Sequence, residues 1–82
     1  MFDYFIYAIK SDKDNRIYVG MSSNIERRLE EHNNGQVFST QNFRPWVLIF
    51  FEKCGNDRKY ARQREKYWKS GSGKEKLKNI PL

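Results

Sequence analysis

The chain contains one cysteine, Cys54, among 82 residues, and this limits how its fold can be held together. A single cysteine cannot form an internal disulfide, and the sequence has no Cys/His cluster with the spacing of a structural zinc site. A domain of this size must therefore rely on one hydrophobic core. Only 38% of the residues are hydrophobic, but 16% are aromatic, and large rings bury much area per residue. We expect residues 1–82 to form a single domain with an aromatic-rich core.

The charge of the chain indicates the kind of partner to expect. The net charge is +6 and the pI is about 9.6, which favours an anionic partner such as nucleic acid. An acidic protein, a membrane surface or no partner at all are the alternatives. The first ten residues, MFDYFIYAIK, carry Asp3 and no basic segment before the apolar run, so we expect no signal peptide. No apolar stretch approaches the ~20 residues that span a membrane, and we expect a soluble, cytoplasmic protein.

The pattern of apolar residues predicts three strands. Three segments are rich in aromatic and β-branched residues, as strands are: 4–11 (YFIYAIKS), 16–20 (RIYVG) and 46–54 (WVLIFFEKC). The polar cluster between the first two predicts an antiparallel hairpin, and Gly20 is expected to close the second strand. The third segment is apolar enough to be the central strand.

Capping and breaking signals predict the helices. Ser23 and Glu26 match the S-x-x-E capping box, and the helix should end where Asn34 or Gly35 adopts a left-handed conformation. A basic amphipathic helix over 58–70, capped by Asn56 or Asp57, should be broken by GSG and followed by a short helix over 74–79. The order ββαβα predicts an α+β fold, with helices flanking a small three-stranded antiparallel sheet.

The first helix carries two adjacent arginines that are not equivalent. At about 100° per residue, Arg28 and His32 lie at the edge of the apolar face, whereas Arg27 points to solvent. A basic pair beside the strand that carries Tyr18 predicts a phosphate pocket. The alternative is ordinary packing, in which Arg28 extends from the edge of the core and His32 is half-buried. Tyr7 and Tyr18 lie on neighbouring strands and share a pocket if their side chains leave the same face of the sheet.

The basic helix contains one carboxylate that the same projection places at the edge of its apolar face, Glu65. It is spaced to form an ion pair with Lys69, four residues later. It is also a candidate ligand for Mg²⁺, which proteins often hold with one or two carboxylates, waters and substrate oxygens. The residues alone leave both interpretations open.

Taken in order, these residues resemble the GIY-YIG endonuclease superfamily, in particular its small single-domain bacterial members grouped with the amino-terminal nuclease domain of the bacterial repair excinuclease. The segments that carry the resemblance are FIY at 5–7, YVG at 18–20, NIERRLEEHNNG at 24–35, STQNFRPWVLIFFE at 39–52 and ARQREKYWK at 61–69. Phe5 replaces the first glycine of the family motif and Val19 replaces an isoleucine, both at framework positions. The ordered set covers nearly the whole chain.

The resemblance implies a metal-dependent endonuclease that hydrolyses phosphodiester bonds, with a function in DNA repair or processing. It implies a Mg²⁺ or Mn²⁺ ion on Glu65, and Arg28 holding the phosphate oxygens. Tyr7 or Tyr18 would act as general base, with Arg28 and the metal lowering the pKa of the phenol, and His32 would position it or relay its proton.

The expected substrate is DNA, and the residues expected to contact it are Thr40, Arg44, Arg62 and Lys69. A non-cleaving nucleic-acid-binding module and a protein-interaction domain are the alternative functions. The sequence leaves open whether a second copy of the chain or a partner protein supplies specificity.

Overall fold

In the computed structural model, which describes residues 2–81, a three-stranded antiparallel sheet has helices packed on both faces. The strands are β1 (Phe5–Ser11), β2 (Ile17–Ser22) and β3 (Trp46–Lys53). The helices are α1 (Ile25–Asn33), α2 (Arg58–Lys69) and α3 (Gly71–Lys78), and a 3₁₀ turn, Gln41–Phe43, precedes β3. The predicted α+β fold with a ββαβα order and a helical tail is confirmed.

The central strand is β1, and the prediction that the third strand is central was wrong. The sheet order is β2-β1-β3, with both neighbours antiparallel to β1. Four successive β1 residues, from Ile6 to Ile9, are at most 1% exposed, whereas Val47 and Phe51 on β3 are 45% and 58% exposed. Apolar content alone did not distinguish the two strands, because β3 is an edge strand whose side chains are only partly covered.

The boundaries of β2 and α1 differ from those predicted. β2 passes through Gly20 and ends at Ser22. The predicted capping box at Ser23 is not formed, because Asn24 is the N-cap and its Oδ1 accepts a hydrogen bond from the Arg27 N–H at 3.1 Å. The predicted left-handed residue after the helix is Gly35, with φ of 77°.

The segment GSG was predicted to break the chain between α2 and a later helix. Instead, it forms the first turn of α3. Ser70 ends α2 and caps α3, and its Oγ accepts from the Gly73 N–H at 3.3 Å. A Cβ at Gly73 would lie 2.6 Å from Trp68 Cα, so the glycine allows α3 to pack closely against the end of α2. Of the two predicted N-caps of α2, Asn56 and Asp57, the structure contains Asp57, whose Oδ1 accepts a hydrogen bond from the Tyr60 N–H at 3.2 Å.

Side chains alternate along β1 between two cores. Ile6 and Ala8 pack with Ala61, Trp68 and other residues on the side of α2 and α3. On the opposite face, the second core lies against α1, and its members are Tyr7, Ile9, Trp46, Tyr18, Ile25, Leu29, Phe43 and Leu48. The alternation therefore places Tyr7 beneath α1. Within residues 2–81, no helix is long and apolar enough to cross a membrane.

An ion pair that the sequence analysis did not identify fastens α2 to β3. Arg64 donates to both carboxylate oxygens of Glu52, at 2.6 and 2.8 Å, and Trp68 Nε1 donates to Glu52 at 3.3 Å. The hydrogen bond from Arg64 holds the pKa of Glu52 below its usual range. The contact therefore holds α2 against β3, and the Glu65 carboxylate is held separately by Arg62 and Lys69.

Candidate active site

Tyr7 and His32 meet in the interior of the domain. Tyr7 is on β1 and His32 is near the end of α1, and the Tyr7 hydroxyl lies 2.8 Å from His32 Nε2. The other ring nitrogen, Nδ1, lies 2.8 Å from the Thr40 Oγ1. The three residues are at most 1% exposed, so His32 is fully buried rather than at the edge of the helix face.

Burial keeps both ring systems neutral at pH 7. It raises the pKa of Tyr7 to about 12, and the nearby Arg28 guanidinium, which lowers that pKa, does not offset it. Burial, followed by the charge of Arg28, lowers the pKa of His32 to about 4. Arg28 therefore lowers the pKa of Tyr7, as expected, but burial outweighs this effect and leaves the hydroxyl protonated at pH 7. The pair is a phenol hydrogen-bonded to a neutral imidazole.

Acid is expected to destabilise the protein through His32. The pKa of this histidine is 6.5 in an unfolded chain and about 4 in the fold, so the folded protein binds fewer protons between these values. The associated stability is complete above pH 6.5 and is lost as the pH falls, by about 3 kcal/mol at pH 4. Urea unfolding at pH 7, 6 and 5 measures this effect, and most carboxylates do not titrate in that window. A His32→Gln variant should lose this part of the pH dependence. The same slope in both proteins would contradict the prediction.

Gly20 makes room for the Tyr7 side chain. The two residues are directly opposite each other in the β1–β2 register. A Cβ on Gly20 would lie 2.5 Å from the Tyr7 hydroxyl oxygen and 2.7 Å from Cζ. The absence of a side chain at this position therefore lets the phenol lie across β2 and reach His32.

Gly20→Ala is expected to lower the free energy of unfolding by about 1–3 kcal/mol, because the added methyl displaces the Tyr7 ring from a packed site. The matched control is Gly71→Ala, where a Cβ would meet no atom within 4 Å. The control should be neutral or slightly stabilising. Urea unfolding of the two variants measures the difference, and equal stability would show that Tyr7 can move at little cost.

The two arginines of α1 differ as the helical projection predicted. Arg28 forms an ion pair with Glu31 at 2.9 Å, and its side chain is 36% exposed. Its guanidinium also lies near the Tyr7 hydroxyl. The Arg27 side chain is 65% exposed, and its Nε lies 3.9 Å from Glu31 Oε2. Arg28 is thus the arginine that borders the Tyr7–His32 pair, with its charge still open to solvent.

Tyr18 belongs to the same cluster. Its ring centroid lies 5.0 Å from that of His32 and 6.4 Å from that of Tyr7. Tyr7 and Tyr18 therefore leave the same face of the sheet, which was the condition for a shared pocket. Tyr18 is only partly buried, whereas Tyr7 is 1% exposed.

Glu65 lies on α2, near enough to Tyr7 for its charge to affect that residue. It is 8% exposed, and its two oxygens form ion pairs with Arg62 at 2.9 Å and Lys69 at 3.2 Å. The structure therefore contains the predicted ion pair between Glu65 and Lys69, together with a second ion pair to Arg62. Burial is the main cause of the raised pKa of Tyr7, and the charges of Tyr18 and, to the smallest extent, Glu65 add to it. The negative charge of Glu65 therefore acts on the Tyr7 hydroxyl.

The side chains of this site could bind a divalent ion only if oxygens of the substrate completed its coordination shell. Among residues 2–81, no three His, Cys, Asp or Glu side chains converge to hold a metal. Glu65 would be the one carboxylate ligand, and waters and phosphate oxygens would complete the shell. This is the manner in which Mg²⁺ is commonly bound beside phosphates. The residues therefore fit an ion that binds together with nucleic acid, once Glu65 is released from Arg62 or Lys69.

The residues expected to contact nucleic acid fall into two groups. Thr40 is 1% exposed and its oxygens are occupied inside the protein, so a direct phosphate contact does not fit its position. Arg44 is exposed, and its Nε donates to the Gln41 carbonyl at 2.8 Å. The side chains of Arg62 and Lys69 are 54% and 52% exposed, although both are paired with Glu65. Three of the four therefore remain accessible.

Comparison with known sequences identifies relatives along almost the whole chain. The sequence model of the family described as "GIY-YIG catalytic domain" matches residues 3–79. A UPF0213 protein of Staphylococcus haemolyticus is 31% identical over 80 residues, which cover 98% of this chain and 96% of that protein. A UPF0213 protein of Clostridium perfringens is 36% identical over 77 residues, covering 93% of this chain and 81% of that protein.

The fold is also similar to a solved structure. The solution NMR structure of a UPF0213 protein from Bacillus halodurans superposes with a TM-score of 0.52 at 23% identity, covering 92% of this chain and 81% of that one. At this identity, the likeness supports the three-stranded α+β fold.

Proposed function

This chain belongs to the GIY-YIG catalytic domain family, and we propose that it is an endonuclease that hydrolyses nucleic-acid phosphodiester bonds. The family is one of endonucleases that generally depend on divalent metal ions. The observation that carries the proposal is the Tyr7–His32 pair beside the Arg28 guanidinium, with the Glu65 carboxylate close enough for its charge to act on Tyr7. These groups are a proton acceptor, a cation and a metal ligand, which are the components that phosphodiester hydrolysis needs.

In the proposed reaction, Tyr7 accepts a proton from the attacking water. Its own phenolic proton shifts toward His32 Nε2 along the 2.8 Å hydrogen bond. With pKa values of about 12 for Tyr7 and about 4 for His32, complete transfer of that proton before attack would cost on the order of 10 kcal/mol. The two transfers are therefore concerted with formation of the new oxygen–phosphorus bond and with breaking of the bond between phosphorus and the leaving oxygen. The water proton passes to Tyr7, the phenolic proton passes to His32, and the leaving oxygen takes a proton from solvent.

Arg28 stabilises the charge that develops on the phosphate. Its guanidinium is fixed by Glu31 at 2.9 Å and is partly exposed beside Tyr7, so it can donate to the non-bridging oxygens while the water is held by the phenol. A divalent ion on Glu65 supplies charge neutralisation at the phosphate and the leaving oxygen when it is bound. Arg62 and Lys69, which are freed when Glu65 changes partner, are then available to the nucleic-acid backbone.

Charge supports a nucleic-acid substrate, and the family supports a nuclease. The net charge of +6 supports a polyanionic substrate, and we propose DNA, in repair or processing within the cytoplasm. We further propose that residues 1–82 act as one domain, with specificity supplied by a second copy or a partner protein.

One observation favours a second candidate function. Both oxygens of Glu65 are paired with cations in this structure, so a metal must displace at least one of them. If the ion pairs are too strong, the domain binds nucleic acid through its basic residues without cleaving it.

The experiment that separates the two functions is cleavage of supercoiled plasmid and of branched DNA by the purified chain. Nicking in the presence of Mg²⁺ or Mn²⁺ that is abolished by EDTA is the result expected of the endonuclease. Salt-dependent binding without nicking, at any concentration of either metal, would instead establish the binding module.

A further inference from the structure

We infer that Thr40 is a positioning residue that fixes the tautomer of His32. Its Oγ1 accepts a hydrogen bond from the protonated Nδ1, which leaves Nε2 unprotonated to accept the Tyr7 O–H. The catalytic consequence rests on the proposed function, but the tautomer itself does not.

The direction of the chain of hydrogen bonds is set at Thr40. Its hydroxyl has a single hydrogen, and Oγ1 lies 3.3 Å from the Val37 carbonyl oxygen with the geometry of a donor. This hydrogen is assigned to the Val37 carbonyl oxygen, which can only accept and which also receives the Thr40 and Gln41 N–H groups. The Thr40 oxygen is then left as an acceptor for its other neighbour, His32 Nδ1, at 2.8 Å.

The tautomer of His32 follows from that direction. A neutral imidazole carries one N–H, and the contact with Thr40 places it on Nδ1. Nε2 then presents a lone pair to Tyr7, so the phenol must be the donor in their 2.8 Å hydrogen bond. The network therefore runs in one direction, from Tyr7 through His32 and Thr40 to the Val37 carbonyl.

A second observation supports the same direction from the opposite end. The Arg28 guanidinium lies near the Tyr7 hydroxyl and can only donate. If Nε2 also carried a hydrogen, the buried phenol would face two donors and its own hydrogen would have to turn away from both. The proposed tautomer gives that hydrogen an acceptor and leaves the phenolic oxygen free to accept from Arg28 and from water.

Thr40 can hold the His32 ring in this orientation, because both its backbone N–H and its backbone carbonyl form hydrogen bonds. Its N–H donates to the Val37 carbonyl at 3.1 Å, and its own carbonyl accepts from Trp46 Nε1 at 2.9 Å. Thr40 is 1% exposed and His32 is 0% exposed, so water does not compete for these bonds. The residue thus acts on Tyr7 through the histidine and does not touch the substrate.

The test uses the fact that His32 is the single histidine of the chain, so ¹⁵N NMR of the imidazole gives one pair of ring-nitrogen signals. In the wild-type protein at pH 7, Nδ1 is expected to be protonated and Nε2 unprotonated. Thr40→Val, which keeps the shape but removes the hydroxyl, should shift the population toward the Nε2–H tautomer and lower cleavage about 10²-fold. Thr40→Ser, which restores the acceptor, should recover both the signals and the cleavage rate.

The NMR measurement distinguishes failure of this inference from failure of the proposed function. A wild-type Nε2–H tautomer would overturn the role of Thr40, whether or not the protein cleaves DNA. A wild-type Nδ1–H tautomer in a protein that does not cleave would support the positioning role and refute the nuclease. An unchanged tautomer in folded Thr40→Val would show that another group sets it and would overturn the inference.

Discussion

Arg28→Ala is expected to reduce DNA cleavage by about 10³-fold, while the neighbouring Arg27→Ala changes it less than about threefold. The guanidinium of Arg28 borders the Tyr7 hydroxyl, whereas Arg27 is rotated by about 100° around α1 and is 65% exposed. Both arginines contact Glu31, so the two variants remove the same charge from the same helix. Comparing the two variants therefore separates the effect of the arginine's position from the effect of its charge.

The physical reason for the size of the effect is that the phosphate gains charge in the transition state. An arginine that is already oriented can donate two hydrogen bonds to that charge without reorganising. A loss of about 10³-fold corresponds to about 4 kcal/mol of transition-state stabilisation. Single-turnover cleavage with saturating protein measures the chemical step, and binding in the absence of metal serves as the control for folding and affinity. Equal losses in both variants would indicate a general effect of charge and would remove Arg28 from the site.

The sequence predicted the features that depend on local periodicity. The α+β order and the separation of Arg28 from Arg27 follow from the strand and helix patterns of the sequence and from the 3.6-residue repeat of helices. The shared face of Tyr7 and Tyr18 was left open, because it depends on the register between two strands. That register places Gly20 opposite Tyr7, and it emerges only once the hairpin is formed.

Features that depend on contacts between distant segments could not be read from the sequence. The position of β3 at the edge depends on which side of β1 the chain returns to after α1, and apolar composition does not encode that side. Thr40 lies in a polar loop, STQNFRP, most of which is exposed, yet Thr40 itself is buried and its hydroxyl lies against His32. The lowered pKa of His32 and the raised pKa of Tyr7 follow from the same burial.

The second large effect is expected at Glu65. Glu65→Gln keeps the size of the side chain but removes the negative charge, and a neutral amide is a much poorer ligand for a divalent ion than a carboxylate. Within the described part of the chain, no cluster of acids lies beside Glu65 that could replace it as a ligand near Tyr7. Cleavage is expected to fall at least about 10³-fold, to the level of the reaction without metal.

The same substitution should strengthen nucleic-acid binding slightly, because Arg62 and Lys69 lose their partner and gain freedom to contact phosphates. This opposite response of binding and cleavage separates a lost metal ligand from a damaged fold. Glu75→Gln is the matched control, since Glu75 is exposed on α3 and the change in charge is identical.

The most direct test of the account is the rate of plasmid nicking as a function of Mn²⁺ concentration for the wild type, Glu65→Gln and Glu75→Gln. Nicking is expected to rise with Mn²⁺ in the wild type and in Glu75→Gln, and to stay at background in Glu65→Gln while DNA binding is retained. Equal, metal-dependent nicking by all three proteins would contradict the assignment of Glu65. Binding by all three without nicking would contradict the proposal that this domain is a nuclease.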